Sequence, residues 1–131
     1  MNPVVHFEMP AEDTQRMAAF YTHAFGWKTQ QLGPEMNNYV VVSTTDTDAS
    51  GRPAEPGTIN GGFYPKKASS LPPMPSVVIA VTDIQAAILK IKEAGGTVLG
   101  EAMQVPGIGL YANFLDTEGN RSSILQPLDM G

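Results

Sequence analysis

The sequence contains no cysteine among its 131 residues. That absence excludes disulfide bonds, thiolate nucleophiles, and the thiolate-held zinc and iron–sulfur sites. Histidine is scarce, with two residues in the chain, so a metal site would have to depend mainly on carboxylates. No apolar run approaches the roughly 20 residues that a membrane-spanning helix needs. We therefore expect neither a cysteine-based enzyme nor a membrane-spanning protein.

Basic residues are also few, since 8 Lys and Arg residues stand against 13 Asp and Glu residues for a net charge of −5. An acidic chain is repelled by nucleic-acid phosphates and by anionic lipid surfaces, so neither is expected as a partner. The opening residues lack the basic segment of a signal peptide. Together with the missing cysteines, this favours a cytoplasmic location.

The residues that are present favour a folded protein. Hydrophobic residues make up 42% of the chain and charged residues 16%, which is the opposite of a disordered composition. The length suits one domain of ordinary size, so residues 1–131 are expected to form a single domain. The 13 glycines and 11 prolines are typical of many turns between short strands.

The first half of the chain alternates one helix with short strands. Residues 4–9 are β-branched and aromatic and end at a proline, which predicts a strand. A helix is predicted from a cap near Asp13 to a stop at Gly26. Strands are then predicted at residues 27–32, 37–45 and 58–64. Gly61 and Gly62 interrupt the last of these, which often marks a close approach by backbone or ligand.

The same order of elements recurs after a proline-rich connector at residues 66–75. A strand is predicted at residues 76–81, followed by a helix that is capped at Asp83 and stops at Gly95. Further strands are predicted at residues 97–105, with a break at Gly100, and at residues 110–115 and 121–126. The chain therefore divides into module 1, about residues 1–65, and module 2, about residues 76–131.

This order predicts an α+β fold in which two βαβββ modules form a curled mixed β-sheet around a cavity, with both helices outside. Apolar side chains recur at helical spacing in both helices and are expected to belong to the core. These residues are Met17, Phe20, Tyr21 and Phe25 in the first helix and Ile84, Ile88 and Ile91 in the second. His23 lies off the apolar stripe and is expected to be solvated.

Four segments resemble the glyoxalase/bleomycin-resistance superfamily, also called the vicinal oxygen chelate superfamily. The opening VVHFEMPAEDTQRMAAFYTHAFGW resembles its first strand and helix, and TINGGFYPK resembles the fourth strand of a glyoxalase-like subgroup. VVIAVTDIQAAILKIKEAGGTV is similar to the second module's strand and helix, and LYANFLDTEGNRSSILQP to the closing hairpin. The resemblance covers nearly the whole chain and implies the fold just described.

In metal-dependent members of that superfamily, four inward-facing residues, usually His and Glu, hold one divalent ion. The resemblance places these positions on His6, within residues 60–62, near Val77, and on Ser123. Of these, His6 alone matches the family's ligands. A lone imidazole does not hold a catalytic ion, because such sites need about three protein ligands. A divalent metal cofactor is therefore disfavoured, and no other cofactor is implied.

His6 and Glu8 are the candidates for catalysis, and alternation places them on one face of the first strand. An imidazole titrates near neutral pH, which suits acid–base chemistry. The competing interpretation of His6 is a buried histidine satisfied by its neighbours. For Glu8 it is a carboxylate that reaches water at the end of the strand.

Six further residues are expected to contact a ligand, because small-molecule pockets are apolar with a few placed polar groups. They are Tyr39, Asn60, Phe63, Tyr111, Asn113 and Ser123. The aromatic members of this set could instead serve packing. Arg121 shares a face with Ser123, but its place beside a turn predicts a solvated side chain. Ser123 lacks the setting of a hydrolase nucleophile.

The hypothesis from the sequence is a glyoxalase-like protein that binds a small organic molecule in the cavity without a complete metal site. Three alternatives stay open. One is a lyase, isomerase or dioxygenase-like enzyme of the superfamily, using a divalent metal or His6 with Glu8. The second is a drug-sequestering resistance protein, for which the negative charge favours a cationic ligand. The third is a structural or regulatory partner whose pocket is vestigial. The sequence is equally compatible with a monomer and a homodimer.

Overall fold

The computed structural model describes residues 1–68 and 72–128. Its strands and helices are β1 (Val4–Ala11), α1 (Thr14–Phe25), β2 (Lys28–Gln31), β3 (Val40–Ser43), β4 (Asn60–Pro65), β5 (Ser76–Ala80), α2 (Ile84–Glu93), β6 (Thr97–Val105), β7 (Gly109–Leu115) and β8 (Arg121–Pro127). The predicted α+β fold with two βαβββ modules is confirmed. Within the predicted connector at residues 66–75, a 3-10 turn covers Lys66–Ala68, and residues 69–71 lie outside the described residues.

The chain divides into two compact units. The first unit is His6–Pro75, and the second unit joins Met1–Val5 to Ser76–Gly131. The start of β1 thus groups with module 2, which the predicted boundaries did not anticipate. In the described part of the chain, neither helix is long and apolar enough to cross a membrane.

In the first unit the strands are hydrogen-bonded in the order β2-β3-β4-β1. β1 and β4 are parallel, and the other pairs are antiparallel. The Asp13 side chain caps α1 by accepting the Arg16 backbone N–H at 3.0 Å, and α1 ends at Gly26 with a φ of 74°. One face of these strands packs under α1 around a core of Val40, Val42 and Phe63. The opposite face is left for the polar side chains of β1.

The apolar stripe of α1 is only partly buried. Met17 and Tyr21 pack against the core, but Phe20 and Phe25 are 58% and 65% exposed. The prediction that Phe20 and Phe25 are core residues is therefore wrong. Their rings pack on Tyr21, with centroid distances of 5.0 and 5.9 Å, and Tyr21 in turn lies 5.5 Å from Phe63. The two phenylalanines form an outer aromatic layer because Tyr21 already covers the core beneath them.

In the second unit the strand order is β1-β5-β8-β7-β6, and residues before His6 supply the β1 part. β5 and β8 are parallel, whereas β8, β7 and β6 are antiparallel. Asp83 caps α2 as predicted, and Ile84 and Ile88 are buried in the core with Ile91 packed against it. The predicted break in β6 is confirmed by a register shift that surrounds Gly100, whose φ is 74°.

Candidate functional site

Three polar side chains of the first unit are joined by hydrogen bonds on the sheet face opposite α1. The Tyr39 hydroxyl donates to Glu8 Oε2 at 3.1 Å and lies 3.2 Å from His6 Nε2. His6 and Glu8 alternate along β1 with Phe7 and Met9, which pack against the core, so the polar pair shares the other face. All three polar side chains are half-buried. The structure thus adds Tyr39 as the bridge between the two residues predicted for catalysis.

The chemistry of these groups assigns the direction of both hydrogen bonds. An ionised carboxylate only accepts, so Tyr39 gives its single hydroxyl proton to Glu8. The Tyr39 oxygen then accepts from His6, which requires that Nε2 of the imidazole carries the proton. We assign this tautomer from the network. In this tautomer Nδ1 of His6 carries no proton and is a hydrogen-bond acceptor.

Glycine on β4 makes the bridge possible. Gly62 pairs with Glu8 in the β1–β4 register, and a Cβ added at Gly62 would overlap the ring and hydroxyl of Tyr39. The missing side chain therefore lets the Tyr39 ring cross β4 towards β1. On the other face, a Cβ at Gly61 would overlap the ring of Phe7. The close approach predicted at this glycine pair is made by two rings of the chain itself.

Burial favours the neutral form of the His6 imidazole. Removal from water lowers the pKa of His6 from its ordinary 6.5, and the nearby Glu8 carboxylate opposes this effect in part. A neutral imidazole can both donate and accept a hydrogen bond. His6 is therefore suited to hydrogen-bonding an uncharged ligand or to accepting a proton from one.

The lowered pKa of His6 predicts that stability falls on mild acidification. The unfolded chain takes up a proton as the pH drops through 6.5, whereas folded His6 resists protonation. The free energy of unfolding therefore declines from that pH down to the folded-state pKa, with a slope of at most about 1.4 kcal/mol per pH unit. Urea unfolding across this range should show a shallower slope for His6→Gln. His23→Gln, at the exposed histidine, should keep the wild-type slope, and equal slopes in all three proteins would contradict the prediction.

Asn60 lies beside His6 in the β1–β4 register and on the same face. Its side-chain oxygen accepts the backbone N–H of Thr44 at 2.9 Å, which ties the end of β3 to β4. That oxygen is engaged in the fold. The bond from Thr44 uses one of the two lone pairs of the Asn60 oxygen, and the ligand contact of Asn60 stays a prediction.

Phe63 does not belong with these residues. Gly62, the preceding residue, lies on the sheet face that carries His6 and Glu8. Because side chains alternate along a strand, Phe63 points to the opposite face, which packs under α1. There it packs in the core with none of its surface exposed, 5.5 Å from the ring of Tyr21. We correct the prediction that Phe63 contacts a ligand, because its side chain is closed off beneath α1.

The other three predicted ligand residues form a separate network in the second unit. Tyr111 Oη lies 2.7 Å from Ser123 Oγ, which donates to Asn113 Oδ1 at 2.8 Å. Because the single Ser123 proton goes to Asn113, Tyr111 donates to Ser123. Asn113 and Ser123 are buried and Tyr111 is half-buried. Asn113 pairs with Ser123 in the β7–β8 register and lies two residues after Tyr111, so the three side chains share one face, where they are hydrogen-bonded to one another.

Arg121 completes this network and corrects the expectation of a solvated arginine. Its Nη1 lies 3.4 Å from Asn113 Oδ1, and the residue is only 5% exposed. Arg121 begins β8 and lies two residues before Ser123, so its side chain points to the same face as Ser123. It is buried there although a turn precedes it. The hydroxyl of Ser76 on β5 is also buried, and no hydrogen-bond partner is found for it among the described residues.

The internal repeat relates the two polar groups position by position. His6 lies seven residues before the helix cap Asp13, and Ser76 lies seven residues before the helix cap Asp83. The counterpart of His6 is therefore Ser76. The resemblance placed the third ligand position of the superfamily near Val77, whose side chain is exposed. The repeat places it one residue earlier, on the buried hydroxyl of Ser76.

The repeat also pairs the two tyrosines. Gly62 and Ser123 are equivalent, because each pairs with the residue two places after His6 or Ser76. Tyr39 stands two residues before the β3 partner of Gly62, and Tyr111 two residues before the β7 partner of Ser123. The hydroxyl of each tyrosine therefore lies beside the equivalent fourth-strand residue of its own module, Gly62 or Ser123.

The described residues do not fit a divalent metal. Throughout residues 1–68 and 72–128, no three His, Asp or Glu side chains are grouped so that they could hold an ion. Gly62 has no side chain, and the Ser76 and Ser123 positions offer neutral hydroxyls where a carboxylate or imidazole would be needed. We therefore derive no chemical step through a metal.

A surface depression of the first unit lies away from His6, at the start of α1. Arg16, Phe20 and Lys66 are among its lining residues. Lys66 is ion-paired there with Glu12 at 3.6 Å, and both side chains are largely exposed. This depression belongs to the α1 side of the unit and shares none of the predicted site residues.

Comparison with solved structures shows the fold. A hypothetical protein from Bacillus halodurans C-125 superposes with a TM-score of 0.71 at 13% identity, covering 99% of this chain and 97% of that chain. Methylmalonyl-CoA epimerase from Mycobacterium tuberculosis gives 0.67 at 12% identity, covering 96% and 88%. The Streptomyces coelicolor methylmalonyl-CoA epimerase gives 0.67 at 15% identity, covering 96% and 97%.

Sequence comparison shows the family. A "Glyoxylase-like domain-containing protein" from Didymella fabae is 31% identical over 124 residues, which cover 89% of this chain and 88% of that protein. The family model described as "Glyoxalase/Bleomycin resistance protein/Dioxygenase superfamily" matches residues 4–124. The chain therefore belongs to the glyoxalase/bleomycin resistance protein/dioxygenase superfamily.

Proposed function

We propose that this protein binds a small organic molecule on the polar face of the first unit, with His6, Tyr39 and Glu8 at the centre and without a bound metal. The observation that carries the proposal is the hydrogen-bonded bridge from His6 through Tyr39 to Glu8. It holds an imidazole, a phenol and a carboxylate in fixed positions on a half-buried surface. A few placed polar groups on a partly apolar surface are what small-molecule sites require.

The charges of this face define the class of ligand. Glu8 is an acidic residue, burial favours the neutral form of His6, and the whole chain has a net charge of −5. Val41 pairs with Gly62, lies on the same face and is 38% exposed, which offers an apolar contact. The face therefore favours an uncharged or cationic molecule with an apolar part and a hydrogen-bond donor for the imidazole.

A thermal-shift screen of neutral and cationic metabolites tests the proposal. Hits should raise the Tm of the wild-type protein and of His23→Ala, in which the exposed histidine is removed. The same hits should lose their effect on His6→Ala, because the imidazole that receives the ligand is gone. A set of hits that stabilises His6→Ala as strongly as the wild type would show that the ligand binds elsewhere.

Proton transfer on the bound molecule is a second candidate function. The observation that favours it is the link between a neutral imidazole and a carboxylate through one hydroxyl, which can accept and return protons. Solved structures with the same fold include methylmalonyl-CoA epimerases. Exchange of a ligand C–H in D2O, present in the wild type and lost in Glu8→Gln, would distinguish an enzyme from a binding protein.

Sequestration of a cationic drug is a further alternative, and the net charge of −5 favours it. A cationic glycopeptide would then be a hit in the same screen, and its stabilising effect would weaken with salt because the attraction is screened. The absence of a shift at low salt would remove this alternative.

A further inference from the structure

We propose that Tyr39 determines the specificity of the His6–Glu8 site, because its phenol fills the space into which a side chain at residue 62 would project. The site then recognises a hydrogen-bonding organic group directly and excludes a divalent cation. This inference rests on the proposed function for the identity of the ligand. The exclusion of the cation stands on the geometry alone.

The space is already occupied in the folded protein. A Cβ at Gly62 would overlap the hydroxyl oxygen and two ring carbons of Tyr39, so no larger residue fits while the ring stays in place. Gly62 pairs with Glu8 and lies on the same strand face as Asn60, the register partner of His6. A side chain at residue 62 would therefore have pointed at the same two polar groups that Tyr39 now bonds.

The bridge also uses the atoms that a cation would need. Nε2 of His6 and Oε2 of Glu8 lie 3.2 and 3.1 Å from the Tyr39 oxygen, which are hydrogen-bond distances. A zinc ion takes nitrogen and oxygen ligands at about 2.0–2.2 Å, and a calcium ion takes oxygen ligands at about 2.3–2.6 Å, both well below the distances to Tyr39. Nε2 of His6 carries a proton and would have to give up its hydrogen bond to Tyr39 to bind an ion. With Glu8 it would still supply two ligands where about three are required.

The tyrosine of the second module lies at the equivalent position, and its hydroxyl bonds to a different partner. Tyr111, the counterpart of Tyr39, places its hydroxyl 2.7 Å from Ser123, the counterpart of Gly62. In that module the fourth-strand position carries a small side chain, and the tyrosine hydroxyl bonds to it. In the first module the side chain is missing, and the hydroxyl reaches across to the β1 residues instead.

Manganese(II) titration followed by NMR tests the inference, since Mn2+ broadens the signals of nearby protons. The His6 ring signals of the wild type should stay sharp, and so should those of Tyr39→Phe, whose ring still fills the space. In the double variant Tyr39→Ala/Gly62→Glu, a third ligand replaces the ring, so Mn2+ should broaden His6 selectively over His23. The matched control Tyr39→Ala/Gly62→Gln, which lacks the carboxylate, should bind Mn2+ at least about tenfold more weakly.

Three results would overturn the inference. The first is selective broadening of His6 in the wild type. The second is a stoichiometric divalent metal in the purified wild-type protein. Neither of these two measurements depends on how the variants fold. The third is an equal Mn2+ response in the two double variants when circular dichroism shows both to be folded. None of the three results depends on an organic ligand. Failure of the proposed function would instead appear as ligand hits that are insensitive to His6→Ala.

Discussion

Replacing Phe63 by alanine should lower the free energy of unfolding by about 3–5 kcal/mol, the range found when a fully buried aromatic side chain is truncated. Phe63 has no exposed surface and lies at the centre of the first unit's core with Val40 and Val42. Truncation removes its contact with Tyr21 and leaves a cavity beneath α1. Urea unfolding monitored by circular dichroism measures the loss.

Val41→Ala is the matched control for Phe63→Ala. Val41 lies on β3 next to the same core but is 38% exposed on the opposite face, so its truncation should cost well under half as much. A ligand-facing Phe63 would give the opposite pattern, in which binding is lost while stability is preserved. That pattern would restore the prediction made from the sequence and refute the placement of Phe63 in the core.

Replacing Gly62 by alanine should have the second-largest effect, a loss of about 1–3 kcal/mol from overpacking together with loss of ligand binding. The added methyl group and the Tyr39 ring cannot occupy the same space, so the ring must leave the bridge. The hydrogen bond that Tyr39 donates to Glu8 and the one that it accepts from His6 are then broken. Unfolding free energies and the thermal-shift response to a ligand hit measure the two losses separately.

The cause can be isolated by a double-mutant cycle with Tyr39→Ala. Once the ring is absent, the extra methyl group has room, and Gly62→Ala should cost little or should even stabilise the strand. Additive costs in the double variant would mean that the two residues do not compete for space. The cycle therefore tests the contact itself, apart from any general sensitivity of β4.

The strands and helices were predictable because their signals are local. Residues 4–9 and 76–81 show strand composition, and Asp13 and Asp83 stand where helix caps are required, so the repeat was visible without tertiary information. Which part of a helical stripe is buried is a tertiary property. Phe20 and Phe25 lie on the predicted stripe of α1, yet Tyr21 covers the core first and leaves them outside.

The site was predictable only where alternation is unambiguous. His6 and Glu8 lie in a regular strand, so their shared face followed from the sequence. The sequence did not show which residues of β4 share a face, because Gly61 and Gly62 give no polar or apolar signal. Phe63 was consequently assigned to the wrong face. Arg121 was misplaced for a related reason, since nearness to a turn was weighed above its position on the face of β8.

Tyr39 was named as a ligand residue, but its bond to both His6 and Glu8 depends on a contact across β4. The sequence did carry a signal for that contact, namely a glycine inside a strand. A glycine indicates that something approaches closely without saying which group does. The identity of the group follows only from the register that sets Gly62 beside Glu8.

The equivalence of Tyr39 and Tyr111 gives the molecule an internal reference for spectroscopy. The chain has four tyrosines, and two of them hold the same place in the repeat with their hydroxyls bonded to different partners. Beside Tyr39 stand an imidazole and a carboxylate, whereas beside Tyr111 stands the hydroxyl of Ser123. Fluorine-labelled tyrosine would place both environments in one spectrum. A change confined to the Tyr39 resonance would report chemistry at the site, and a change shared with Tyr111 would report a change in the solution or the whole fold.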